Sequence, residues 1–321
     1  MKEKIKELDY QPNGIARSLR TNRTMTLGLV IPDSSNPFFA ELARAIEEAA
    51  FESGYTLLVG NATEDEERQS TYVRTFLQRQ VDGLLLVPTH GPVKCVTELR
   101  NWNGPWVLLD RRVKHLTSVS QLLVDSRGGA RHATQHLMGH GRSNVACIAG
   151  PVDVTTTQDR VAGWREALAE AGRRPLTSMI RHVPFGRWAG YQAALDLFTA
   201  RRRPDAVFVA SDEQAVGVLR ALAELNLKCP DDVAVVSFDG IASSAYTVPT
   251  LTTMAQPFAQ LGQRSIARLV ARIADPNAEP ETSVLPVSLV ARRSCGCSDV
   301  PSGQGAGPAP EPGIDGSLVA R

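Results

Sequence analysis

The sequence predicts an α/β protein with two doubly wound parallel sheets, arranged as two lobes. Short apolar runs of strand length alternate along the chain with segments of helical periodicity. These runs are continuous, as in strands that are buried on both faces. The alternation ends near Asp110 and starts again near Leu122 after a polar connector. We therefore expect two sheets, with a cleft between the lobes.

Each predicted element follows from the spacing of its apolar residues. The predicted strands cover residues 27–31, 55–59, 83–87, 106–109, 122–124, 145–149, 206–210 and 233–238, with a weaker strand at 179–183 and another within 283–290. Apolar residues three and four apart predict helices over 2–9, 37–53, 66–79, 127–138, 159–171, 188–200, 212–225 and 258–273. From residue 298 the chain is rich in proline, glycine and alanine, which predicts a disordered tail.

A basic stretch, residues 10–24, precedes the first predicted strand. Pro12 cannot continue a preceding helix, and Asn13 is a favourable N-cap for a helix that follows it. Arg17 and two further arginines make the stretch positive, and it contains no acidic residue. Composition alone favours a solvated linker. The alternative is a segment that folds on DNA, with its arginines on phosphates and Leu19 as a minor-groove wedge.

Charge and cysteine content limit the possible partners and compartments. The 321 residues carry a formal net charge of +1, whereas residues 1–24 hold six basic and three acidic side chains and are therefore at +3. A nucleic-acid partner is expected only at this arm. The N-terminus has no apolar signal segment, and no apolar run is long enough to cross a membrane. Five scattered cysteines without a secretion signal indicate reduced thiols and a cytoplasmic protein without membrane attachment.

Polar and aromatic residues follow the predicted strands at the ends where open α/β sheets bind ligands. The set comprises Asn36, Phe38, Phe39, Asp110, Arg111, Arg160 (predicted to open a helix), Ser211, Asp239 and Gln256. Arginines and carboxylates bond vicinal hydroxyl groups, and aromatic rings stack on the C–H face of a sugar. Taken singly, an Asp at a strand end is more often a helix cap, and Phe38 and Phe39 could be core residues. Together the residues favour a site for a small polyhydroxylated ligand.

The sequence contains parts of several patterns that are typical of enzymes and metal sites. His132, His136 and His140 are spaced four residues apart, but no glutamate accompanies them and Gly139 is expected to end the helix. Cys295-Gly-Cys297 is a possible thiol pair, yet no second pair follows it. No phosphate-binding loop and no nucleophile with a base is found. We therefore expect no metal, no cofactor and no enzymatic activity.

The basic stretch resembles the hinge of the lactose/galactose repressor (LacI/GalR) family, whose usual wording is Y-x-P-N-x-x-A-R-S-L-R-T. The resemblance implies that Leu19 enters the minor groove of operator DNA, flanked by Asn13, Ala16 and Arg17. Residues 2–9 then correspond to the last helix of the family's helix-turn-helix headpiece. Because the helix that reads the major groove lies upstream in the family, the chain as written is expected to bind DNA weakly and with little specificity.

The rest of the chain, to about Arg293, resembles the effector domain of the same family and the type I periplasmic sugar-binding proteins. The resemblance rests on Asn-Pro-Phe-Phe, Leu-Leu-Asp-Arg, Asp-Arg-x-x-Gly-Trp, Ala-Ser-Asp and Ser-Phe-Asp-Gly, which occur in that order. It implies a wall of Asn36, Phe38 and Phe39, sugar contacts from Asp110, Arg111 and Arg160, a stacking Phe185, and closure of the pocket by Asp239 and Gln256. Ser211 departs from the asparagine common at that place, and its shorter side chain cannot reach two hydroxyls.

The expected organisation has four parts. They are a headpiece remnant (1–12), a hinge (13–24), an effector-binding and dimerisation domain (25–297, with lobe one at about 25–122 plus 255–282 and lobe two at about 123–254 plus 283–293) and a tail (298–321). The implied function is a homodimeric transcriptional repressor whose affinity for operator DNA is controlled by a sugar effector. A stand-alone sugar-binding protein of a transport system is the alternative, and a sugar-modifying enzyme is a third.

Overall fold

The computed structural model describes residues 23–90, 94–113 and 116–298, which divide into two compact units. Unit 1 holds the described residues up to Asp125, together with Pro151–Gln158 and Pro257–Pro286. Unit 2 holds Ser126–Gly150, Asp159–Gln256 and the described residues from Val287 onward. These bounds differ from the expected lobes by a few residues, and 151–158 belong to unit 1 instead of lobe two. The headpiece remnant, Asn13, Ala16, Arg17, Leu19 and all but Ser298 of the predicted tail lie outside the described residues.

Twelve strands and eight helices are formed by the described residues. The strands are β1 (Thr26–Ile31), β2 (Thr56–Asn61), β3 (Gly83–Leu86), β4 (Trp106–Leu109), β5 (Ser120–Val124), β6 (Val145–Ala149), β7 (Ile180–His182), β8 (Ala206–Val209), β9 (Ala234–Asp239), β10 (Thr252–Ala255), β11 (Thr282–Leu285) and β12 (Ser288–Val290). The helices are α1 (Pro37–Glu52), α2 (Glu66–Gln78), α3 (Cys95–Asn101), α4 (Ser126–Gly139), α5 (Thr155–Glu170), α6 (Arg187–Phe198), α7 (Asp212–Glu224) and α8 (Phe258–Ala274).

Each unit contains one six-stranded sheet, and the two sheets have the same strand order. The strand order is β2-β1-β3-β4-β5-β11 in unit 1 and β7-β6-β8-β9-β10-β12 in unit 2. All neighbouring strands are parallel except β10 and β12, which are antiparallel. Strands β3, β4, β6, β8 and β9 are buried along their whole length, as continuous apolar runs predict. The predicted fold class of two doubly wound sheets is confirmed.

The structure corrects four element predictions. The single strand expected within 283–290 is two strands in different sheets, because Pro286 lacks the N–H group that a continuous ladder needs. Strand β10 and helix α3 were not predicted as a strand and a helix. Helix α5 begins at Thr155, so Arg160 lies in its second turn and does not open it. None of the helices described is long and apolar enough to span a bilayer.

A partly buried carboxylate holds the residues that precede the first strand. Asp82, just before β3, accepts hydrogen bonds from the backbone N–H groups of Thr24 (2.8 Å, Oδ1) and Met25 (3.0 Å, Oδ2). Each oxygen of the carboxylate thus accepts from one of two consecutive backbone N–H groups, which lie before the first strand. The residues that end the predicted hinge are therefore fastened to the body of unit 1.

Unit 2 repeats this arrangement at the equivalent place. Asp205, just before β8, accepts from the N–H groups of Ser143 (2.9 Å, Oδ2) and Asn144 (2.8 Å, Oδ1), which precede β6. Asp82 and Asp205 occupy matching positions in two sheets of the same strand order. A carboxylate clamp on the residues before the first strand is therefore a shared feature of both units.

Replacing Asp82 with alanine should release the end of the hinge segment. We expect hydrogen exchange of the Thr24 and Met25 amides to rise about 10-fold or more, because a hydrogen bond to a charged group contributes roughly 1.5–3 kcal/mol. Exchange followed by mass spectrometry or NMR measures this. Asp205→Ala is the matched control and should accelerate only its own two amides. Unchanged exchange in Asp82→Ala would show that the clamp does not hold this segment.

Candidate functional site

Three of the predicted ligand residues meet at the carboxyl ends of the unit 2 strands. The Nη1 atom of Arg160 lies 3.5 Å from Oδ1 of Asp239, and Nε2 of Gln256 donates to the same oxygen at 2.9 Å. The side chains of Arg160 and Asp239 are 4% and 6% exposed. One buried carboxylate oxygen therefore lies next to both a guanidinium and a side-chain amide. We refer to Arg160, Asp239 and Gln256 as the unit 2 cluster.

The surroundings of Arg160 orient its guanidinium. Its Cζ atom lies 3.9 Å from the centroid of the Phe238 ring, and its Nη1 also donates to the carbonyl oxygen of Ala210. Stacking on an aromatic ring holds the plane of a guanidinium fixed. The Nε atom of Arg160 and Oε1 of Gln256 are buried and have no hydrogen-bond partner among the described residues. A donor and an acceptor thus remain for a ligand.

The backbone at Asp239 is strained. Its φ angle is +118°, a region that side-chain-bearing residues rarely adopt, and Gly240 follows at +78°. A Cβ at Gly240 would lie 2.5 Å from Cα of Ala255, so only glycine fits. In unit 1 the equivalent strand β4 is followed by Asp110, whose φ is +60°. Strain in matching places on both sheets is typical of functional sites.

A buried carboxylate holds this strained turn in place. Asp212, the first residue of α7, accepts from the N–H groups of Gly240 (2.9 Å) and Ile241 (2.8 Å). It also accepts from the hydroxyls of Ser237 on β9 and Thr253 on β10, the latter at 2.7 Å. Burial raises the pKa of Asp212 to about 6, while these four hydrogen bonds act in the opposite direction. Four donors to its two oxygens require the carboxylate form, because a protonated oxygen would itself be a donor.

Ser211 and Phe185, the remaining predicted residues of unit 2, are not part of this cluster. The Ser211 hydroxyl caps α7 by accepting from the N–H group of Gln214 at 3.2 Å. Ser211 is buried, and its side chain is engaged in this cap. Phe185 is half-buried in the loop between β7 and α6.

The first three predicted residues of unit 1 open helix α1. Asn36 is its N-cap, and its Oδ1 accepts from the N–H group of Phe38 at 3.0 Å. Phe38 and Phe39 are buried and pack edge to face, with ring centroids 5.0 Å apart. Phe38 also lies against Phe258 of α8 at 5.5 Å. Asn36 thus caps a helix, and both rings contribute to the packing of unit 1.

Arg111 is bound by a partner that the sequence did not reveal. Its Nη1 and Nη2 atoms donate to the two carboxylate oxygens of Glu64 at 3.0 and 2.8 Å, and Nη1 also donates to the carbonyl of Pro88. Its Nε lies 3.8 Å from Oδ2 of Asp110, and its Cζ lies 5.6 Å from the Phe39 ring. The predicted neighbours Asp110, Arg111 and Phe39 are therefore brought together in unit 1.

Sequence reasoning missed two residues of these clusters. The predicted helix over 66–79 left Glu64 outside it and without a role. Helix α2 begins at Glu66 with Asp65 as its N-cap, and Glu64 bonds Arg111. Its φ of +54° sets it apart from the helix. Asp212 was seen only as part of Ala-Ser-Asp. In the sequence, Asp212 is only a carboxylate at the end of a predicted strand. That pattern is equally typical of a residue that caps a helix.

Two patterns that the sequence gave no reason to combine are also adjacent in unit 2. His136 on α4 and His140, which directly follows that helix, face Cys295 and Cys297 of the C-terminal turn, and the four ligand atoms lie within 4.8 Å of one another. The expected absence of a metal site was based on each pattern alone.

Comparison with known proteins identifies the family. A model of the periplasmic binding protein-like domain matches residues 134–295, about half of the chain. The ribose operon repressor of Escherichia coli (strain K12) is 38% identical over 293 residues, which are 90% of this chain and 88% of that protein. The chain belongs to the LacI/GalR family. This assignment confirms the resemblance that the hinge and strand-end motifs predicted.

Further LacI/GalR relatives agree. The HTH-type transcriptional repressor PurR of Erwinia tasmaniensis is 34% identical, with 90% of this chain and 85% of that protein covered. A LacI family regulator from Enterococcus faecium, solved with bound ribose, superposes with a TM-score of 0.75 at 29% identity and covers 84% of this chain and 98% of its own. The relatives are transcriptional repressors or regulators, not enzymes or transport proteins, so the predicted regulator class is confirmed.

Replacing Asp212 with asparagine should loosen the unit 2 cluster. An amide leaves at least one buried donor without an acceptor, so we expect the free energy of unfolding to fall by about 3 kcal/mol. Urea denaturation measures the change. The control is Asp65→Asn on an exposed N-cap, which should cost less than about 1 kcal/mol because asparagine caps as well as aspartate. Equal stability of Asp212→Asn and wild type would contradict the role assigned to this carboxylate.

Proposed function

We propose that this LacI-family regulator is a homodimeric repressor in the cytoplasm, and that a small sugar is the effector that controls its affinity for operator DNA. The single observation that carries the sugar assignment is the unit 2 cluster. Its buried arginine, carboxylate and amide offer donors and acceptors in the pattern that vicinal hydroxyls need. The relative from Enterococcus faecium that was solved with bound ribose supports the proposal that the effector is a monosaccharide about as large as ribose.

The residues proposed to contact the effector are those that the family resemblance implies. In unit 2 they are Arg160, Asp239 and Gln256, with Phe185 as the stacking ring and Ser211 beside them. In unit 1 they are Asn36, Phe38, Phe39, Asp110 and Arg111. Arg111 would reach the ligand while it keeps its pair with Glu64, since a guanidinium has five N–H donors. Asn13, Ala16, Arg17 and Leu19 are proposed to contact DNA.

Control of DNA binding by the effector requires a difference in affinity between two states of the protein. A sugar that binds one state more tightly shifts the population towards that state, and DNA then changes sugar affinity by the same factor. Two copies of the chain would present two hinges to the two halves of an operator.

Light scattering of the purified chain tests the dimer directly, and a monomer at micromolar concentration would contradict it.

Calorimetric titration tests the effector class. We expect D-ribose or another small aldose to bind with one site per chain, and a purine base not to bind. Arg160→Gln should weaken sugar binding about 10- to 100-fold, because a hydrogen bond to a charged group contributes roughly 1.5–3 kcal/mol. Arg220→Gln is the control, since Arg220 forms an exposed ion pair with Glu224 and should not change affinity.

Two outcomes would contradict the proposal. Binding of a purine base without any sugar would overturn the effector class and leave the family assignment intact. Sugar binding of equal strength in wild type and Arg160→Gln, with both proteins folded by circular dichroism, would move the site away from the unit 2 cluster.

A further inference from the structure

A cluster of two histidines and two cysteines lies in unit 2, on elements that the effector site does not use. We infer that His136, His140, Cys295 and Cys297 form a tetrahedral binding site for Zn²⁺. Zinc sites of the Cys₂His₂ type use these ligand atoms, and they are closed structural sites. The proposed ion would fasten the C-terminal turn of the described chain to helix α4.

The distances within the cluster match a tetrahedral ion. Nε2 of His136 lies 3.2 Å from Sγ of Cys295 and 3.7 Å from Sγ of Cys297, and Nε2 of His140 lies 3.2 Å from Sγ of Cys297. Zinc bonds of about 2.0–2.1 Å to nitrogen and about 2.3 Å to sulfur place tetrahedral ligand atoms roughly 3.3–3.8 Å apart. These three separations are thus within about 0.1 Å of that range, and all four ligand atoms lie within 4.8 Å of one another.

Helix geometry supplies the histidine pair. His136 and His140 are four residues apart at the end of α4, so their rings lie on one face with centroids 4.7 Å apart. Helix α4 ends at Gly139, and the N–H group of His140 still bonds the carbonyl of His136 at 3.3 Å. His132 lies one turn earlier, is exposed and is not part of the cluster. The chain therefore contains a matched histidine that does not ligate.

A tight turn supplies the cysteine pair. Gly296 has a φ of +104°, which reverses the backbone between the two cysteines and lets both sulfur atoms face the same helix end. The turn is anchored by Ser294, whose hydroxyl donates to the carbonyl of Val235 at 2.7 Å and accepts from the N–H group of Thr252 at 2.8 Å. The position of Cys295 is therefore set before any ion binds.

The surroundings suit a bound cation with two thiolates. The Thr252 hydroxyl lies 3.1 Å from Sγ of Cys295 and can donate to the thiolate, as outer-shell partners of metal ligands do. A cavity of about 490 Å³, lined by Pro230, Arg293, Gly296, Cys297 and Ser298, gives the ion a path from solvent. Binding releases the two thiol protons, so that two thiolates balance the charge of Zn²⁺.

The test uses the whole chain, purified under reducing conditions, stripped with a chelator and titrated with Zn²⁺ and, separately, with Co²⁺. We expect one ion per chain. Bound Co²⁺ should show the intense visible bands of a tetrahedral site and a thiolate charge-transfer band. Zinc should raise the melting temperature of the stripped protein, because an ion that binds only the folded state stabilises it.

Ligand variants and matched controls locate the ion. His140→Ala and Cys297→Ser should each lower zinc affinity by about 100-fold or more, and Thr252→Val by about 10- to 100-fold, which is the usual cost of losing an outer-shell partner. His132→Ala and Cys229→Ser, which alter a histidine and a cysteine outside the cluster, should leave affinity unchanged. Circular dichroism confirms that each variant is folded.

Three results would overturn the inference. One is the absence of a tetrahedral Co²⁺ spectrum in the folded, reduced wild-type chain. Another is an equal loss of zinc in the control and ligand variants, which would indicate adventitious binding. The third is a Cys295–Cys297 disulfide that forms in the purified protein and persists in the presence of a thiol reductant.

Discussion

The unit 2 cluster depends on one buried carboxylate. Asp212 joins the start of α7 to strands β9 and β10 and to the turn after Asp239, through four hydrogen bonds. Such a group is costly to bury and is tolerated only when its oxygens are satisfied. The N–H groups of the turn therefore have to point at Asp212. This requirement fixes the strained turn that orients Asp239 towards Arg160 and Gln256.

The same strand order in both units explains why functional features come in pairs. The carboxyl ends of parallel strands meet at one edge, where helix N-termini and loops leave polar groups unsatisfied. Asp110 directly follows β4, Asp239 is the last residue of the equivalent strand β9, and both have positive φ angles. Asp82 and Asp205 clamp equivalent strand starts. In each unit the edge that carries the strained Asp is also the edge at which the predicted ligand residues gather.

Strand β10 links the two proposed sites of unit 2. Successive residues of a strand face opposite sides of the sheet. The hydroxyl of Thr253 accordingly bonds Asp212, whereas that of its neighbour Thr252 lies beside Cys295. An ion bound by the His–Cys cluster would restrain the turn that anchors Thr252. The backbone of this strand would then be held from the face opposite to Asp212.

The sequence by itself determined the fold class, most strands and helices, the family and the strand-end residues, because these depend on local apolar spacing and short motifs. It could not determine pairings between distant segments. Glu64 with Arg111, Asp212 with the turn at Gly240, and the histidines of α4 with the cysteines after β12 are separated by 47, 28 and more than 150 residues. Only the tertiary structure brings such groups within bonding distance, because contacts across a sheet depend on strand order and packing and not on local spacing.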